Sequence, residues 1–302
     1  MKSASGRARR WRKPAAIFAV VALIQLGLQL TTATPAAAKL GLAKATAVSA
    51  TDSVSPKIVT ARCTGGRIAV GGGAAAVPGT FAGLDRLMLT ALAPFHDSSG
   101  GGFTAMAFER QPGLADSWSL YAYALCADPG YDPEIVSTTT NPSSARFQAT
   151  AAGPCPDGKR VLGTGSQVSY TGGAVGLQLN RSDGPMTISR STAREDSAGY
   201  AGSWSLTSYA VCARPAGQVT PAPGTLVSGT TVGDFTCPLT PVPRHGYVPT
   251  YVTGVNGGGP LTDTAGATFL RVLHPEDTLR GVEVAMTSPP AGGMVVGAIC
   301  SP

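Results

Sequence analysis

The sequence predicts an all-β protein made of three antiparallel β repeats, each stapled by its own disulfide. Three observations carry this expectation. A segment is written twice: SWSLYAYALCADP at 117–129 and GSWSLTSYAVCARP at 202–215 share Ser-Trp-Ser-Leu, Tyr-Ala before a cysteine, and a Cys-Ala-x-Pro close. The six cysteines are an even number and all follow residue 38, as in a disulfide framework. The 39 glycines, 24 prolines and 13% charged residues favour many turns and short strands over surface helices.

Taken from the amino terminus, residues 1–38 read as a secretory signal peptide. Lys2, Arg7, Arg9, Arg10, Arg12 and Lys13 form a basic start, residues 15–30 are apolar, and Ala36-Ala37-Ala38 supplies a small-residue cleavage site. Gln25 and Gln29 interrupt an apolar run that is short for a membrane span, so cleavage before Lys39 and export are expected. The pair Arg9-Arg10 lacks the following pattern of a twin-arginine signal. These 38 residues hold six of the 23 basic residues and none of the 17 acidic ones, so the remaining 264 residues are formally neutral. A nucleic-acid or anionic-membrane partner therefore loses its electrostatic basis.

The echo places the cysteines in pairs, Cys63 with Cys126, Cys155 with Cys212 and Cys237 with Cys300. CTGGRIAVGGG from Cys63 aligns without a gap on CPDGKRVLGTG from Cys155, Gly71 and Gly73 falling on Gly163 and Gly165. After Cys237 the pattern gives way to PLTPVPRHGYVP, yet GAIC at 297–300 parallels YALC and YAVC. The copies are thus 39–130, 131–218 and a degenerate 219–302, a period of about 88 residues. They would form either tandem sandwich-like units or one pseudo-threefold prism.

Each copy reads as a lead-in hairpin, a strand ending at cysteine, a glycine-rich strand, two further strands and a Trp-to-Cys strand. In that last strand Trp118, Leu120, Ala122, Ala124 and Cys126 share one apolar face, as do Trp204, Leu206, Ser208, Ala210 and Cys212. That face points inward, which makes the tryptophans core residues. Phe81, Leu84, Leu87, Met88, Ala91, Leu92 and Phe95 have helical spacing, but the matching Val175, Leu177 and Leu179 read as a strand, and a strand is expected in both.

The pattern Cys-Pro-x-Gly-Lys-x-Val-x-Gly at 155–163, followed by the strand ending Tyr-Ala-Val-Cys-Ala, resembles the repeats of uncharacterised secreted actinobacterial proteins. It is more distantly similar to the vitelline-membrane outer-layer proteins, whose three repeats open on Cys-Pro-Asp-Gly and form a β-prism. The resemblance implies a fold and brings no catalytic residues.

Motifs of catalysis are not marked. Gly153 to Arg160 nearly spells a phosphate loop, but Arg160 stands where Ser or Thr binds magnesium, and Pro154 and Pro156 lack amide donors. The glycine runs at 71–73 and 257–259 lack a strand-to-helix setting and fit bulges or close strand packing. His96, His245 and His274 show no metal-ligand spacing, and no nucleophile elbow occurs. No cofactor or metal is expected.

Counting back 17 residues from the second cysteine of each pair reaches Glu109, Glu195 and Glu283. They read first as structural carboxylates holding backbone amides or a neighbour such as Arg110, and second as three equivalent binding sites. Tyr121, Tyr123 and Tyr209 face away from the core and are candidates for contact, since a tyrosine joins an apolar face to a polar tip. A secreted, non-catalytic binding protein for extracellular glycan or a protein partner is the leading expectation, and repeated weak sites would give avidity on a repetitive target. A structural envelope component is the alternative, and a hydrolase without a recognisable motif the third.

Overall fold

The computed structural model describes residues 41–80, 83–214, 220–242, 246–259, 268–290 and 292–301; the signal-peptide assignment over 1–38 and the Lys39 terminus lie outside them. Lys39–Pro302 forms one compact unit. The first copy contributes β1 (Ala43–Val48), β2 (Lys57–Arg62), β3 (Ile68–Pro78), β4 (Leu87–Phe95), β5 (Gly102–Glu109) and β6 (Trp118–Ala127). The second contributes β7 (Glu134–Thr139), β8 (Phe147–Ala152), β9 (Arg160–Val168), β10 (Val175–Ser182), β11 (Ser189–Glu195) and β12 (Leu206–Ala213). The third has β13 (Thr220–Val227), β14 (Val232–Thr236), β17 (Tyr251–Gly258), β18 (Leu270–Pro275), β19 (Gly281–Met286) and β20 (Met294–Ser301), plus an added hairpin of β15 (Leu239–Val242) and β16 (Gly246–Pro249).

That hairpin is the segment PLTPVPRHGYVP. The glycine-rich strand of the third copy is displaced rather than lost: it resumes as β17, with Gly254, Gly257 and Gly258. The expected lead-in hairpin is not formed. β1 pairs with β6 in one sheet while β2 pairs with β5 in another, so the two strands belong to different layers.

Three antiparallel sheets result: sheet I in the order β1-β6-β3-β18-β19-β14, sheet II β2-β5-β4-β9-β12-β7, and sheet III β13-β20-β17-β10-β11-β8. Each sheet takes the first, sixth and third strands of one copy and the fourth, fifth and second strands of another. The exchange is cyclic, so the copies interlock about a pseudo-threefold axis. The seams are short, with register pairs Val272↔Ala75 and Leu273↔Ala74 in sheet I, Ala91↔Gln167 and Leu92↔Ser166 in sheet II, and Leu179↔Gly258 and Asn180↔Gly257 in sheet III.

Glycine makes the meeting of the third strands possible. Val70, Leu162 and Thr253 are extra residues in β-bulges just ahead of Gly71, Gly163 and Gly254. A Cβ on Gly71 would lie 2.1 Å from the Thr253 carbonyl oxygen, one on Gly254 2.5 Å from that of Leu162, and one on Gly163 2.2 Å from that of Val70. Each glycine thus touches the next copy's bulge around a closed ring.

A second bulge, in the fourth strand of every copy, inserts Thr90, Gln178 and Arg271. It explains the helical spacing in β4: Leu87, Leu89 and Leu92 all enter the core because Thr90 resets the alternation between the last two. For the same reason Leu179 is out of phase with Val175 and Leu177, and Asn180 faces Ser191 instead. At the start of the fourth strands Met88, Gly176 and Phe269 converge: a Cβ on Gly176 would lie 2.6 Å from side-chain atoms of both others.

The alternating face of the last strands is buried as the sequence predicts, with Trp118, Leu120, Trp204 and Leu206 fully inaccessible. The bridges are Cys63–Cys126, Cys155–Cys212 and Cys237–Cys300. Each closes a loop of about 60 residues, worth about 4 kcal/mol in the chain-entropy model. In the second copy the core turns polar: Ser166, Ser189, Ser191 and Ser208 are all fully buried where strand register puts Ala74, Phe103, Ala105 and Ala122 in the first. Ser191 Oγ donates to Ser208 Oγ at 2.9 Å, and Ser208 Oγ to the Ser189 carbonyl at 3.3 Å.

Candidate functional site

Two of the three sequence-marked glutamates are occupied in holding tryptophans. Trp118 Nε1–H donates to Glu109 Oε1 at 2.7 Å, and the Leu114 amide to Glu109 Oε2 at 3.0 Å. Trp204 Nε1–H donates to Glu195 Oε1 at 3.2 Å, with Arg146 Nε 3.6 Å from Glu195 Oε2. A buried indole needs an acceptor, and a carboxylate nine residues earlier supplies it in both copies. The shared Glu-to-Trp spacing is the sequence signal for this pair.

Glu283 is a different case and corrects the expectation of three equivalent carboxylates. Strand register aligns Glu109 and Glu195 with Ser288, and Trp118 and Trp204 with Gly292. Leu270 pairs with Met286 where Leu89 pairs with Ala107 and Leu177 with Ala193. The loop before the last strand is five residues shorter in the third copy, Ser288 to Met294 against Glu109 to Leu120, so a fixed count from the cysteine lands short. Acceptor and indole have gone together.

The register instead sets Glu283 opposite His274 on one side and Asp234 on the other. This is one line running across sheet I. On the far side of it Tyr123 pairs with Gly73, and because Gly73 has no side chain the Tyr123 ring reaches the His274 ring, centroids 4.6 Å apart. Tyr121 lies parallel to Tyr123 at 6.4 Å and 12°. The Lys44 ammonium sits 5.0 Å from the Tyr123 ring centroid, donates to the Pro275 carbonyl at 3.1 Å and pairs with Asp277.

Of the three candidate tyrosines, Tyr121 is half-buried and reachable. Tyr123 is 7% exposed and underlies the strip rather than presenting to solvent. Tyr209, on sheet II, donates its hydroxyl to Gln167 Oε1 at 2.9 Å. The structure therefore gathers Tyr121, Tyr123 and Glu283 on one face and leaves Tyr209, Glu109 and Glu195 elsewhere. His274, Asp234 and Lys44 complete the strip. They come from three strands separated in sequence, and no local motif could have joined them.

The charge states follow from burial. Desolvation pushes the Tyr123 hydroxyl up to about 12, with Tyr121, Asp277 and Glu283 adding to it. Burial and then the Lys44 ammonium hold the His274 imidazole below its ordinary value, against Asp277. It is neutral at neutral pH. Burial and then Asp234 raise the Glu283 carboxyl, with Arg271 opposing. Burial also lowers the Arg271 guanidinium, which Glu283 partly offsets.

Among the described residues no group of three His, Cys, Asp or Glu is placed to hold a metal ion, and no helix is long and apolar enough to cross a membrane. The strip offers an aromatic edge for C–H surfaces, and an imidazole and two carboxylates for hydroxyl groups. Set against known proteins, the chain matches no family model and no curated sequence.

Proposed function

We propose that the protein is exported by its amino-terminal signal and acts outside the cell as a non-catalytic binding protein for glycan. The observation that carries the reading is the strip on sheet I, in which Tyr121, His274, Glu283 and Asp234 lie on adjoining positions of one face. A pyranose offers an apolar C–H face and a rim of hydroxyls, which an aromatic ring and carboxylate acceptors complement. The three disulfides suit an oxidising compartment. A structural envelope component would use the same interlocked frame without this strip.

The test is retention of the mature protein on insoluble neutral glucan, chitin and purified cell walls, for wild type and Tyr121→Ala. Loss of the ring should weaken retention about tenfold, roughly 1.4 kcal/mol, with Asp234→Asn and Glu283→Gln weakening it further. No retention by the wild type, or retention unchanged in all three variants, overturns the reading. A hydrolase is the second reading, favoured by the Asp234–Glu283 pairing with its raised carboxyl, since a protonated acid beside a carboxylate is the glycosidase arrangement. Release of reducing ends that stops in Glu283→Gln would select it.

A further inference from the structure

Because the three sheets repeat one plan, the line of residues that makes the strip on sheet I has counterparts on the other two. On sheet II the line runs Tyr209, Gly165, Ala93, Thr104 and Thr60. On sheet III it runs Gly297, Asn256, Arg181, Arg190 and Ala151. One framework therefore shows an aromatic and acidic line, a neutral line and a basic line.

The basic line has the marks of an anion site. Arg181 and Arg190 are directly opposed on neighbouring antiparallel strands, a placement that is destabilising for like charges. Among the described residues neither takes part in an ion pair, and Arg181 Nε is buried without a hydrogen-bond partner. Asp183, two residues beyond Arg181, accepts from the Thr187 amide at 2.7 Å, the Thr187 hydroxyl at 2.9 Å and the Ile188 amide at 3.1 Å. It is committed to the turn after β10. The position that carries a tyrosine ring on sheets I and II is Gly297 here, so this line has no side chain where Tyr123 lies against His274 on sheet I.

We propose that Arg181 and Arg190 form a site for an oxyanion, bridged between the two guanidinium groups, and that its source is an anionic extracellular polysaccharide carrying carboxylate or phosphodiester groups. Two planar donor forks suit an anion with at least two oxygens, and a second fork satisfies what one leaves open. The anion would also remove the repulsion between the arginines. This face is distinct from sheet I, so its failure leaves the glycan reading there untouched.

The experiment measures co-sedimentation of the mature protein with a calcium-gelled polyuronate at low and at high salt, and thermal melting with inorganic phosphate, while a neutral glucan reports separately on the sheet I strip and should not distinguish wild type from the arginine variants. Wild type should be retained by polyuronate at low salt and released at high salt. Arg181→Gln/Arg190→Gln should lose at least tenfold in retention while melting no lower than wild type, because the variant deletes a repulsive pair. Arg181→Lys/Arg190→Lys should fall between, keeping charge but losing the forks. Equal retention of wild type and Arg181→Gln/Arg190→Gln, or no retention by wild type together with no stabilisation by phosphate, overturns the site. Stabilisation by phosphate that needs both arginines, without polyuronate retention, overturns the polymer and leaves a free oxyanion as the ligand.

Discussion

Placing a methyl group at Gly163 should damage the whole molecule. Its Cβ would stand 2.2 Å from the Val70 carbonyl oxygen and 2.5 Å from the Gly71 Cα, both backbone atoms of another copy. No rotamer change relieves such a contact, so β9 must move away from β3 and drag two sheet seams with it. Overpacking of this kind costs typically 1–3 kcal/mol, and backbone on both sides puts Gly163→Ala near the top, about 3 kcal/mol. For a chain of this size that lowers the melting temperature by roughly 6–12 °C. Gly130→Ala is the control: nothing lies within 4 Å of its Cβ and its φ is not positive, so the melt should hold or rise slightly. Gly71→Ala/Gly163→Ala should cost less than the two single changes together, since both open the same junction. The assay is differential scanning calorimetry of residues 39–302 with disulfides intact. A Gly163→Ala melt within 2 °C of wild type, by the same conversion, would show that the third strands are not in contact at the axis.

Other consequences are simpler to state. Cys155→Ala/Cys212→Ala should lower stability by about 2–5 kcal/mol, and peptide mapping without reduction should recover only the three within-copy bridges. Glu195→Gln keeps an acceptor for Trp204 and should leave indole fluorescence unchanged, whereas Glu195→Leu strands a buried donor and should cost about 1–3 kcal/mol by chemical denaturation. In the second copy's core, Ser208→Ala removes a partner of Ser191, while Ser191→Ala/Ser208→Ala restores the residues of the first copy. A double-mutant cycle should therefore show the second change recovering stability lost in the first. For pH, the raised Glu283 carboxyl is protonated in the folded state where the unfolded chain has already ionised. Its contribution is present at low pH and lost as pH rises through the folded value, and Asp234→Asn, which removes the second-largest cause, should shrink that loss and raise stability at neutral pH. Melting temperatures of wild type and variant across pH 4–8 read this, and parallel curves would contradict it.

Much of the frame could be read from the chain because repetition supplies its own alignment. The Trp-to-Cys strands, the disulfide partners and the inward faces all follow from Cys126 and Cys212 being set equal. The pairing of β3 with β18 could not be read. It rests on a seam of two register pairs between strands almost two hundred residues apart, and nothing local in Ala74 or Leu273 announces it. The bulges at Thr90 and Gln178 were hidden as well, appearing in the sequence only as a lapse from alternation that imitates a helix in one copy and passes unnoticed in the other. The third copy misled through compensation. Cys237 to Gly254 is seventeen residues where Cys63 to Gly71 is eight, yet a shorter late loop helps restore the same cysteine separation of 63, and Glu283 falls at the expected count for no structural reason. The strip on sheet I was half legible, its tyrosines by alternation and its His274 and Asp234 not at all, since they arrive from other strands by pairing.

The cyclic exchange of strands also decides when this molecule can exist. Sheet I joins the first copy to the last, so a chain emerging from its amino terminus holds β1, β6 and β3 long before β18, β19 and β14 have been made. No truncated product can close the ring, and the first copy waits with an open edge through most of synthesis. Such long-range closure is slow to form. The same circularity makes the order of copies arbitrary: a gene rearranged to begin at the second copy and end with the first would rebuild all three sheets, with only the joint between old termini new.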